Sequence, residues 1–386
     1  MRTLFVVAAL ALMACGGNEV ATATPVAAPL TREASSAWTA FTPQPVEING
    51  ETFTATCSDA PGADPAFQFW ARRGISNNLV IFFDGGGACW DDLTCSVPRL
   101  KANTREEDGF FKAEIIPGDD PTNMSGIFDL TNARNPVRDW SFVFVPYCTG
   151  DVHVGSATTT YTDPDTGESF QIQHRGADNF RVVLEWIRQN FDAPDQIVVA
   201  GSSAGAYGAV THFASVRDAF PTGRALMLGD AGQGVTPRAF LPQRNGNWQY
   251  HLPTSVFGAD ADVTADEDVL GILAAHYPND RFAQYTTTQD ITQTAFLALM
   301  GEPGACRGWT TKMASDLSRR QAAPNFRSYL ASGQTHTILR SPLFYSQRSG
   351  GAPFAEWMAA AISADGEDWE NRVCRNCLRP PERCPF

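Results

Sequence analysis

The chain has 386 residues, of which 43% are hydrophobic and 18% are charged, a composition typical of a globular protein that can bury a large core. Its formal net charge at pH 7 is −13, from 29 basic and 42 acidic residues. An acidic chain without any run of lysine or arginine argues against nucleic acid as a partner. The length does not force two domains, because one α/β domain with insertions can reach this size.

Residues 1–14 are typical of an export signal. Arg2 provides a positive start, and the apolar run 4–13 is too short to span a bilayer. The run ends in Leu12-Met13-Ala14-Cys15, which resembles the lipobox of bacterial lipoproteins and predicts lipidation of the Cys15 thiol. We therefore expect an exported protein that is lipid-anchored to the bacterial cell envelope. The alternative is a secreted protein cut near Ala14.

The following segment, residues 15–36, is rich in Ala, Thr, Pro, Gly and Ser. Because it has few large apolar residues, it cannot form a core of its own and is predicted to be a flexible tether. The globular part is expected to start near Trp38. Residues 37–386 are therefore predicted to form a single domain.

Eight cysteines remain when Cys15 is set aside. They are Cys57, Cys89, Cys95, Cys148, Cys306, Cys374, Cys377 and Cys384. An even number of cysteines behind an export signal predicts a disulfide framework of up to four bridges. Cys374-x-x-Cys377 also has the spacing of a zinc or redox site, but neither a second such pair nor a nearby histidine accompanies it, so a structural disulfide is preferred.

Four short apolar runs predict buried parallel strands. They are residues 79–83, 142–145, 197–200 and 225–228. Between the second and third runs, residues 177–191 place apolar side chains at helical spacing, and another helix is expected after Ser203 to about Val216. This βαβ pattern predicts a three-layer α/β sandwich with a mostly parallel central sheet. In such folds ligands bind beyond the C-terminal ends of the strands.

Gly201-Ser202-Ser203-Ala204-Gly205 fits the pattern G-x-S-x-G between a predicted strand and a predicted helix. This is the context of the nucleophile in an α/β-hydrolase-like fold. The sharp turn presents the serine hydroxyl at the edge of the sheet, and the helix N-terminus stabilises developing negative charge. Ser203 is therefore the predicted nucleophile. The alternative is a Gly/Ser-rich turn without chemistry.

A glycine loop, Gly85-Gly86-Gly87, follows the first predicted strand. Without side chains in the way, its backbone N–H groups can face a ligand, which suits an oxyanion hole. The expected donors are the N–H groups of Gly86, Gly87 and Ala204, the residue after the nucleophile. A phosphate-binding loop is disfavoured because no Gly-Lys-Ser/Thr sequence is present.

A serine nucleophile needs a base, and six histidines compete for that role. In this fold the acid and then the histidine follow the serine along the chain. His336 lies in a small polar loop near the end of the chain and is the preferred base. For the acid, the sequence pattern supports two aspartates about equally. Asp230 ends the fourth predicted strand, and Asp290 precedes an apolar helix, where an N-cap is the simpler interpretation.

At this point the ordered set of motifs resembles the pectin acetylesterase and Notum family of serine carboxylesterases, over about residues 50 to 345. The matching segments are Gly85-Gly86-Gly87-Ala88-Cys89-Trp90, Pro146-Tyr147-Cys148-Thr149-Gly150-Asp151, Gly201-Ser202-Ser203-Ala204-Gly205, Asp230-Ala231-Gly232, Asp290 and Gln334-Thr335-His336. The resemblance implies Ser203 as nucleophile, Asp290 as the acid and His336 as the base. It also implies oxyanion donors at Gly86, Gly87 and Ala204.

The resemblance leaves Asp230 as a structural or pocket residue. Trp90, Asp151 and His153 are further candidates for the substrate pocket, and the last two are expected to hold a leaving-group hydroxyl. Many relatives carry Trp directly before the loop cysteine, where this chain has Ala88. The acyl pocket is therefore expected to differ in shape from theirs.

Together these features predict a serine esterase that hydrolyses O-acyl esters, with O-acetyl groups of extracellular polysaccharide as the expected substrate. One alternative is an esterase for longer acyl chains or lipids. The other is a non-catalytic surface-binding lipoprotein whose hydrolase fold has lost its activity. No metal or other cofactor is expected. The expected partners are the ester substrate and, through Cys15, a membrane, and the protein is expected to be a monomer.

Overall fold

The structure is a computed structural model, and it describes residues 25–99, 109–258 and 268–379. The predicted signal sequence, Cys15 and Cys384 lie outside the described residues. The strands are β1 Thr39–Phe41, β2 Val46–Ile48, β3 Glu51–Phe53, β4 Phe69–Arg72, β5 Asn78–Phe83, β6 Pro98–Arg99, β7 Phe111–Lys112, β8 Ser141–Val145, β9 Ala157–Thr162, β10 Ser169–His174, β11 Gln196–Ser202, β12 Arg224–Asp230, β13 Arg281–Thr287, β14 Phe326–Ala331, β15 Arg348–Ser349, β16 Ala352–Pro353 and β17 Arg372–Val373. The helices are α1 Asp92–Cys95, α2 Gly176–Asn190, α3 Ala204–Ala219, α4 Leu241–Trp248, α5 Thr254–Phe257, α6 Val269–His276, α7 Ile291–Leu299, α8 Ala305–Arg320 and α9 Phe354–Ile362.

Nine strands form one sheet in the order β1-β4-β8-β5-β11-β12-β13-β14-β17. Seven neighbouring strands of this sheet run parallel: β8, β5, β11, β12, β13, β14 and β17. At one edge β4 pairs antiparallel with β8, and β1 pairs antiparallel with β4. The four strands predicted from apolar runs are the neighbouring strands β5, β8, β11 and β12, and the two predicted helices are α2 and α3, so these predictions are confirmed. Phe83 at the end of β5 pairs with Gly201 of β11. This pairing places the glycine loop after β5 beside the turn that carries Ser203.

Alternate side chains of the central strands enter two separate hydrophobic cores. Leu79 and Ile81 of β5 share one core with α2, α3, α6 and α8. Val80 and Phe82 share the other with α9 and with residues around Phe128. All four strand side chains are fully buried, as expected for a parallel sheet that is covered on both faces. The predicted three-layer α/β sandwich is therefore confirmed.

The N-terminal segment departs from the predicted tether. In the part that the structure describes, Val26 and Leu30 are 2% and 7% exposed and belong to the core. Their backbone N–H groups donate to side chains at the end of α2, Gln189 for Val26 and Asn190 for Leu30. The prediction was wrong for these residues because a segment without its own core can still bury single apolar side chains against a folded domain.

Disulfide bonds join three pairs of cysteines within the described residues: Cys57–Cys148, Cys89–Cys95 and Cys374–Cys377. Cys306 is disulfide-bonded as well. The predicted disulfide framework is confirmed, and the preference for a disulfide over a zinc site at Cys374-x-x-Cys377 is confirmed with it. The Cys57–Cys148 bond spans 91 residues, and closing so long a loop in the unfolded chain stabilises the fold by roughly 4–5 kcal/mol in the chain-entropy description.

Candidate active site

Ser203 lies at the tight turn between β11 and α3, and its backbone is strained. Its φ is 57° and its ψ is −122°, a conformation that costs a residue other than glycine roughly 1–3 kcal/mol. The backbone N–H of Ser203 donates to the carbonyl oxygen of Asp230 at 2.7 Å and so holds the turn against β12. Helix α3 begins directly after the serine, at Ala204. The serine therefore stands at the C-terminal edge of the sheet and at the N-terminus of a helix.

Glycines on both sides of Ser203 make this turn possible. A Cβ on Gly201 would lie 2.0 Å from the carbonyl oxygen of Gly205, and a Cβ on Gly205 would lie 2.0 Å from the carbonyl oxygen of Phe83. Both oxygens belong to the backbone and cannot move aside. Helix α3 can therefore pack directly against the ends of β5 and β11.

The glycine loop after β5 presents backbone N–H groups beside Ser203. A Cβ on Gly85 would lie 2.9 Å from the Cβ of Ser203, so the loop packs against the serine. Gly87 has a φ of 78°, and a Cβ there would lie 2.1 Å from a backbone carbonyl oxygen. In the part of the chain that the structure describes, the N–H groups of Gly86, Gly87 and Ala204 donate to no protein acceptor. These three amides, the oxyanion donors predicted from the sequence, therefore have no partner among the described residues that would compete with a ligand.

Asp290 and His336 form a hydrogen-bonded pair. Nδ1 of His336 lies 3.0 and 2.9 Å from the two carboxylate oxygens of Asp290. Asp290 is fully buried, and its carboxylate also accepts from the backbone N–H of Gln293 at 2.9 Å, which caps α7. A carboxylate at Nδ1 holds the imidazole proton there and leaves Nε2 as the basic nitrogen. His336 and Ser203 line the same two cavities, a small one of about 120 Å³ and a larger cleft of about 1350 Å³.

Asp230, the other acid considered from the sequence, lines neither of these cavities. Its buried carboxylate accepts hydrogen bonds from Oγ of Ser202 at 2.6 Å and from the N–H groups of Ile338 and Leu339 at 2.9 Å each. Burial raises the pKa of Asp230 to about 6 despite these donors. Of the two roles predicted for Asp230, structural or pocket residue, these contacts fit the structural one, because the partners enclose the carboxylate. Asp230 ties the residue before Ser203 to the loop that carries His336.

A buried ion-pair network beneath the glycine loop was missed by the sequence analysis. Nζ of Lys112 lies 2.8 Å from the carboxylate of Asp84 and 2.7 Å from that of Asp119, and Arg340 pairs with the second oxygen of Asp84. Burial works to raise the pKa of Asp84, but the charges of Arg340 and Lys112 outweigh it and hold that pKa below its usual value. The network joins the glycine loop to the loop that carries His336. No motif in the sequence marked Lys112 or Arg340.

Asp151 and His153, which were predicted to face the substrate, are buried and line neither cavity. The carboxylate of Asp151 accepts from Oγ1 of Thr149 at 2.6 Å and from the N–H of Gly176 at 2.7 Å. Nε2 of His153 donates to the carbonyl oxygen of Asp84 at 2.8 Å. The prediction was wrong because donors from this loop and from the start of α2 converge on Asp151 and turn the loop inward, away from the rim.

Burial also determines the protonation of three histidines outside the site. It lowers the pKa of His153 and of His174 to about 4 and that of His212 to about 3. In the unfolded chain a histidine has a pKa near 6.5, so between pH 6.5 and 4 the unfolded state binds protons that the folded state does not. Each such histidine lowers the free energy of unfolding by up to ~1.4 kcal/mol per pH unit of acidification. Four aspartates have the opposite effect at acidic pH, because burial raises their pKa and lets the folded state bind a proton there: Asp151, Asp230, Asp280 and Asp316.

We therefore expect each of the three buried histidines to lower the free energy of unfolding as the pH is lowered from 6.5 to 4. Urea titrations at several pH values measure this slope. Nε2 of His212 donates to the carbonyl oxygen of His153 at 2.7 Å, and the amide of a His212→Gln variant can replace that donor. The variant is expected to show a shallower pH slope than the wild type. Equal slopes in the two proteins would contradict this explanation.

Two cavities meet at Ser203. The inner cavity has a volume of about 120 Å³, and the outer cleft, of about 1350 Å³, runs along α7. The inner cavity is lined mainly by apolar side chains, among them Trp90, Val154, Phe240, Trp248, Phe296 and Met300. Gly87, Ser203 and His336 line both spaces. Of the four predicted pocket residues, Trp90 is the one that the structure places in a cavity wall.

Comparison with known proteins gives the family. The family model described as Pectinacetylesterase matches residues 44–254, which is more than half of the chain. The chain belongs to the pectinacetylesterase family. Pectin acetylesterase 11 from Arabidopsis thaliana is 28% identical over 182 residues, 46% of this chain and 42% of that protein. Palmitoleoyl-protein carboxylesterase notum1 from Xenopus laevis is 28% identical over 171 residues, 43% of this chain and 31% of that protein. The chain thus spans less than half the length of these curated relatives.

A solved structure of the Wnt deacylase Notum from Drosophila resembles this member of the pectinacetylesterase family with a TM-score of 0.58. The match covers 86% of this chain and 97% of that chain at 17% sequence identity. At this identity the likeness concerns the fold, and it agrees with the α/β-hydrolase-like class predicted from the sequence. The family match at residues 44–254 includes the glycine loop and Ser203, and it ends before Asp290 and His336.

Proposed function

We propose that the protein is a serine carboxylesterase that hydrolyses acyl esters through an acyl-enzyme on Ser203. The observation that carries the proposal is a convergence at the junction of the two cavities. Ser203, Gly87 and His336, with Asp290 behind its imidazole, line both cavities there, and Gly86 lines the outer cleft. Family membership supports the proposal, since relatives are named as pectin acetylesterases and as a carboxylesterase.

In the acylation step, Nε2 of His336 takes the proton of Ser203 while Oγ attacks the ester carbonyl carbon. The carboxylate of Asp290 orients the imidazole and stabilises its charged form. The oxyanion accepts hydrogen bonds from the three amides at Gly86, Gly87 and Ala204, each of which contributes roughly 3–4 kcal/mol in the transition state of comparable enzymes. The bond to the alcohol then breaks, and His336 passes its proton to the leaving oxygen.

In the deacylation step, a water molecule takes the place of the alcohol. His336 removes a proton from the water as its oxygen attacks the carbonyl carbon of the acyl-enzyme. The same three amides stabilise the second oxyanion. When it collapses, the bond to Oγ of Ser203 breaks, the serine regains its proton from His336 and the free acid leaves. Every step uses a group of this chain or water.

The inner cavity determines which acyl group fits. Its volume is about 120 Å³, and a cavity of about 150 Å³ in another protein binds benzene. An acyl chain of roughly four to six carbons would fill this cavity, whereas an acetyl group would leave much of its apolar lining without contacts. We therefore propose short acyl chains longer than acetyl as the preferred substrates. The O-acetyl groups of extracellular polysaccharide, expected from the sequence, would then be poorer substrates.

A series of p-nitrophenyl esters tests both the activity and the acyl group. We expect kcat/KM to rise from acetate to butanoate by up to about fourfold per methylene, because each buried methylene contributes ~0.8 kcal/mol. Activity should level off near hexanoate and fall for dodecanoate, which exceeds the cavity. In a Met300→Trp variant, which fills part of the inner cavity, the optimum should move toward acetate.

A maximum at acetate in the wild type would contradict the assignment of the inner cavity and would favour the polysaccharide deacetylase. Acetate release from a panel of acetylated polysaccharides would then identify the polymer. No hydrolysis of any ester by folded protein would contradict the esterase proposal itself and favour the non-catalytic alternative.

We further propose that the enzyme is exported and anchored to the bacterial cell envelope through a lipid on Cys15, with secretion as the alternative. The disulfide bonds support export, because such bonds persist in oxidising compartments. Within the described ranges, no helix is both long and apolar enough to cross a membrane. We propose that residues 37–386 form one catalytic domain, which the packing of Val26 and Leu30 extends toward the N-terminus.

A further inference from the structure

Helix α7 buries one side against the body of the protein, and a second side lines the outer cleft. Leu297 and Thr294 are buried against the body of the protein. Ile291, Ala295 and Leu299 follow each other at intervals of four residues, so they form one stripe along the helix, and all three line the outer cleft. A surface helix ordinarily exposes polar side chains on the side away from the core. The apolar stripe of α7 is therefore expected to contact an apolar ligand in the outer cleft.

Apolar side chains from α1 and the residues that follow it line the outer cleft as well. Leu93 and Val97, four residues apart, line it and are 54% and 38% exposed. Ile291 and Leu299 on the α7 side are 40% and 41% exposed. Half of the eight exposed large hydrophobic side chains in the described residues thus lie in this one cleft. Single exposed apolar residues are common, but such a concentration beside a site marks a binding surface.

The charge of the outer cleft points the same way. Among the described residues that line it, Arg340 is the one lysine or arginine. Its guanidinium group forms an ion pair with the buried carboxylate of Asp84, which commits its charge to the network beneath the glycine loop. The part of the cleft that the structure describes therefore offers an anionic sugar acid little electrostatic complementarity.

The position of the outer cleft identifies its occupant. The two parts of a bound ester lie on either side of the carbonyl carbon, and Ser203 lies where the inner cavity and the outer cleft meet. With the acyl group in the inner cavity, the alcohol part must extend into the outer cleft. The cleft also has the larger volume of the two spaces, which suits a group that has to leave after the first step.

We propose that the outer cleft binds the alcohol part of the ester and selects uncharged, apolar alcohols over sugar acids. This inference rests on the proposed esterase function and adds the class of alcohol to it. The residues that determine the specificity are Leu93, Val97, Ile291 and Leu299. Each contributes apolar surface that is buried when an alkyl or aryl alcohol binds and that gains nothing from a hydrophilic one.

Three butanoate esters of aliphatic alcohols with similar leaving-group chemistry test the proposal. They are ethyl butanoate, hexyl butanoate and the butanoate ester of 6-hydroxyhexanoate, which has a six-carbon chain ending in a carboxylate. We expect kcat/KM for hexyl butanoate to exceed that for ethyl butanoate about tenfold, as partial burial of four methylenes would give. The carboxylate ester should be no better than ethyl butanoate, because the described residues of the outer cleft offer it no cation other than the paired Arg340.

The variant Ile291→Ser/Leu299→Ser removes the stripe of α7 at two exposed positions. It should lower kcat/KM for hexyl butanoate about tenfold more than kcat/KM for ethyl butanoate, which reduces the hexyl-to-ethyl ratio to near one. Ile75→Ser provides the matched control, since Ile75 is 76% exposed and lies outside both cavities. That variant should keep the wild-type ratio.

A hexyl-to-ethyl ratio near one in the wild type, an unchanged ratio in the double variant, or a preference for the carboxylate ester would each overturn the inference. In these cases hydrolysis of ethyl butanoate still takes place, so the esterase function stands. If none of the three esters nor any p-nitrophenyl ester is hydrolysed, the proposed function fails, and this inference fails with it.

Discussion

Replacing Ser203 by alanine is expected to lower kcat for the best p-nitrophenyl ester by about 10⁴- to 10⁶-fold, as removal of a serine nucleophile does in other hydrolases. The loss arises because no other hydroxyl occupies the turn at the junction of the two cavities. The neighbouring Ser202 donates its hydroxyl to the buried carboxylate of Asp230 at 2.6 Å. Alanine keeps the backbone hydrogen bond of residue 203 to the carbonyl oxygen of Asp230, so the fold should remain intact.

Turnover assays and labelling with a fluorophosphonate measure this result independently. The wild type should be labelled stoichiometrically, with the adduct on the peptide that contains Ser203, and Ser203→Ala should not be labelled. Ser202→Ala is the matched control because it removes the adjacent hydroxyl and should still be labelled at Ser203. Undiminished turnover by Ser203→Ala, or an adduct at another serine, would show that the nucleophile is misassigned.

Replacing Asp290 by asparagine is expected to lower kcat by about 10⁴-fold with little change in stability. An asparagine oxygen can still accept from the N–H of Gln293 and cap α7, as the carboxylate does at 2.9 Å. The asparagine amide can no longer hold a proton at Nδ1 of His336, and the tautomer with its proton on Nε2 cannot take the proton of Ser203. The substitution therefore separates the electrostatic role of Asp290 from its structural role.

The rate loss in Asp290→Asn is measured with the same esters, and thermal unfolding measures whether α7 is still capped. Asp91→Asn is the control, because Asp91 caps α1 by accepting from the N–H of Thr94 at 2.7 Å. In the proposed mechanism Asp91 has no role, and only Asp290 orients His336. That variant should keep wild-type kcat. If both variants lost activity equally, the effect of Asp290→Asn would have to be assigned to helix capping.

Local patterns predicted the fold because they reflect local physics. Apolar runs gave strands β5, β8, β11 and β12, since a parallel strand that is buried on both faces has no polar positions. The glycines around Ser203 marked the turn because only glycine tolerates backbone oxygens at the distances seen at Gly201 and Gly205. Both signals are contained within a few consecutive residues, so they can be read from the sequence.

The residues that hold the site together gave no such signal. Lys112 lies 28 residues from Asp84, and Arg340 lies 256 residues from it, so nothing along the chain indicates that the three charges meet. The same applies to Asp230, which binds the backbone 108 residues further on. For Asp151 the sequence suggested the rim of the site, but donors from the start of α2, 25 residues away, draw its carboxylate into the interior.

The sequence by itself determined the layered α/β architecture, the strained serine turn and the glycine loop, because steric and hydrophobic constraints on neighbouring residues act wherever the chain folds. The residues alone left Asp230 and Asp290 open, and the family resemblance favoured Asp290; only the tertiary structure showed the hydrogen bond between Asp290 and His336 and the two cavities that meet at Ser203. The carboxyl ends of β12, β13 and β14 have to lie side by side before either carboxylate can reach the imidazole. The distance between these strand ends is a property of the packed sheet and not of any single segment.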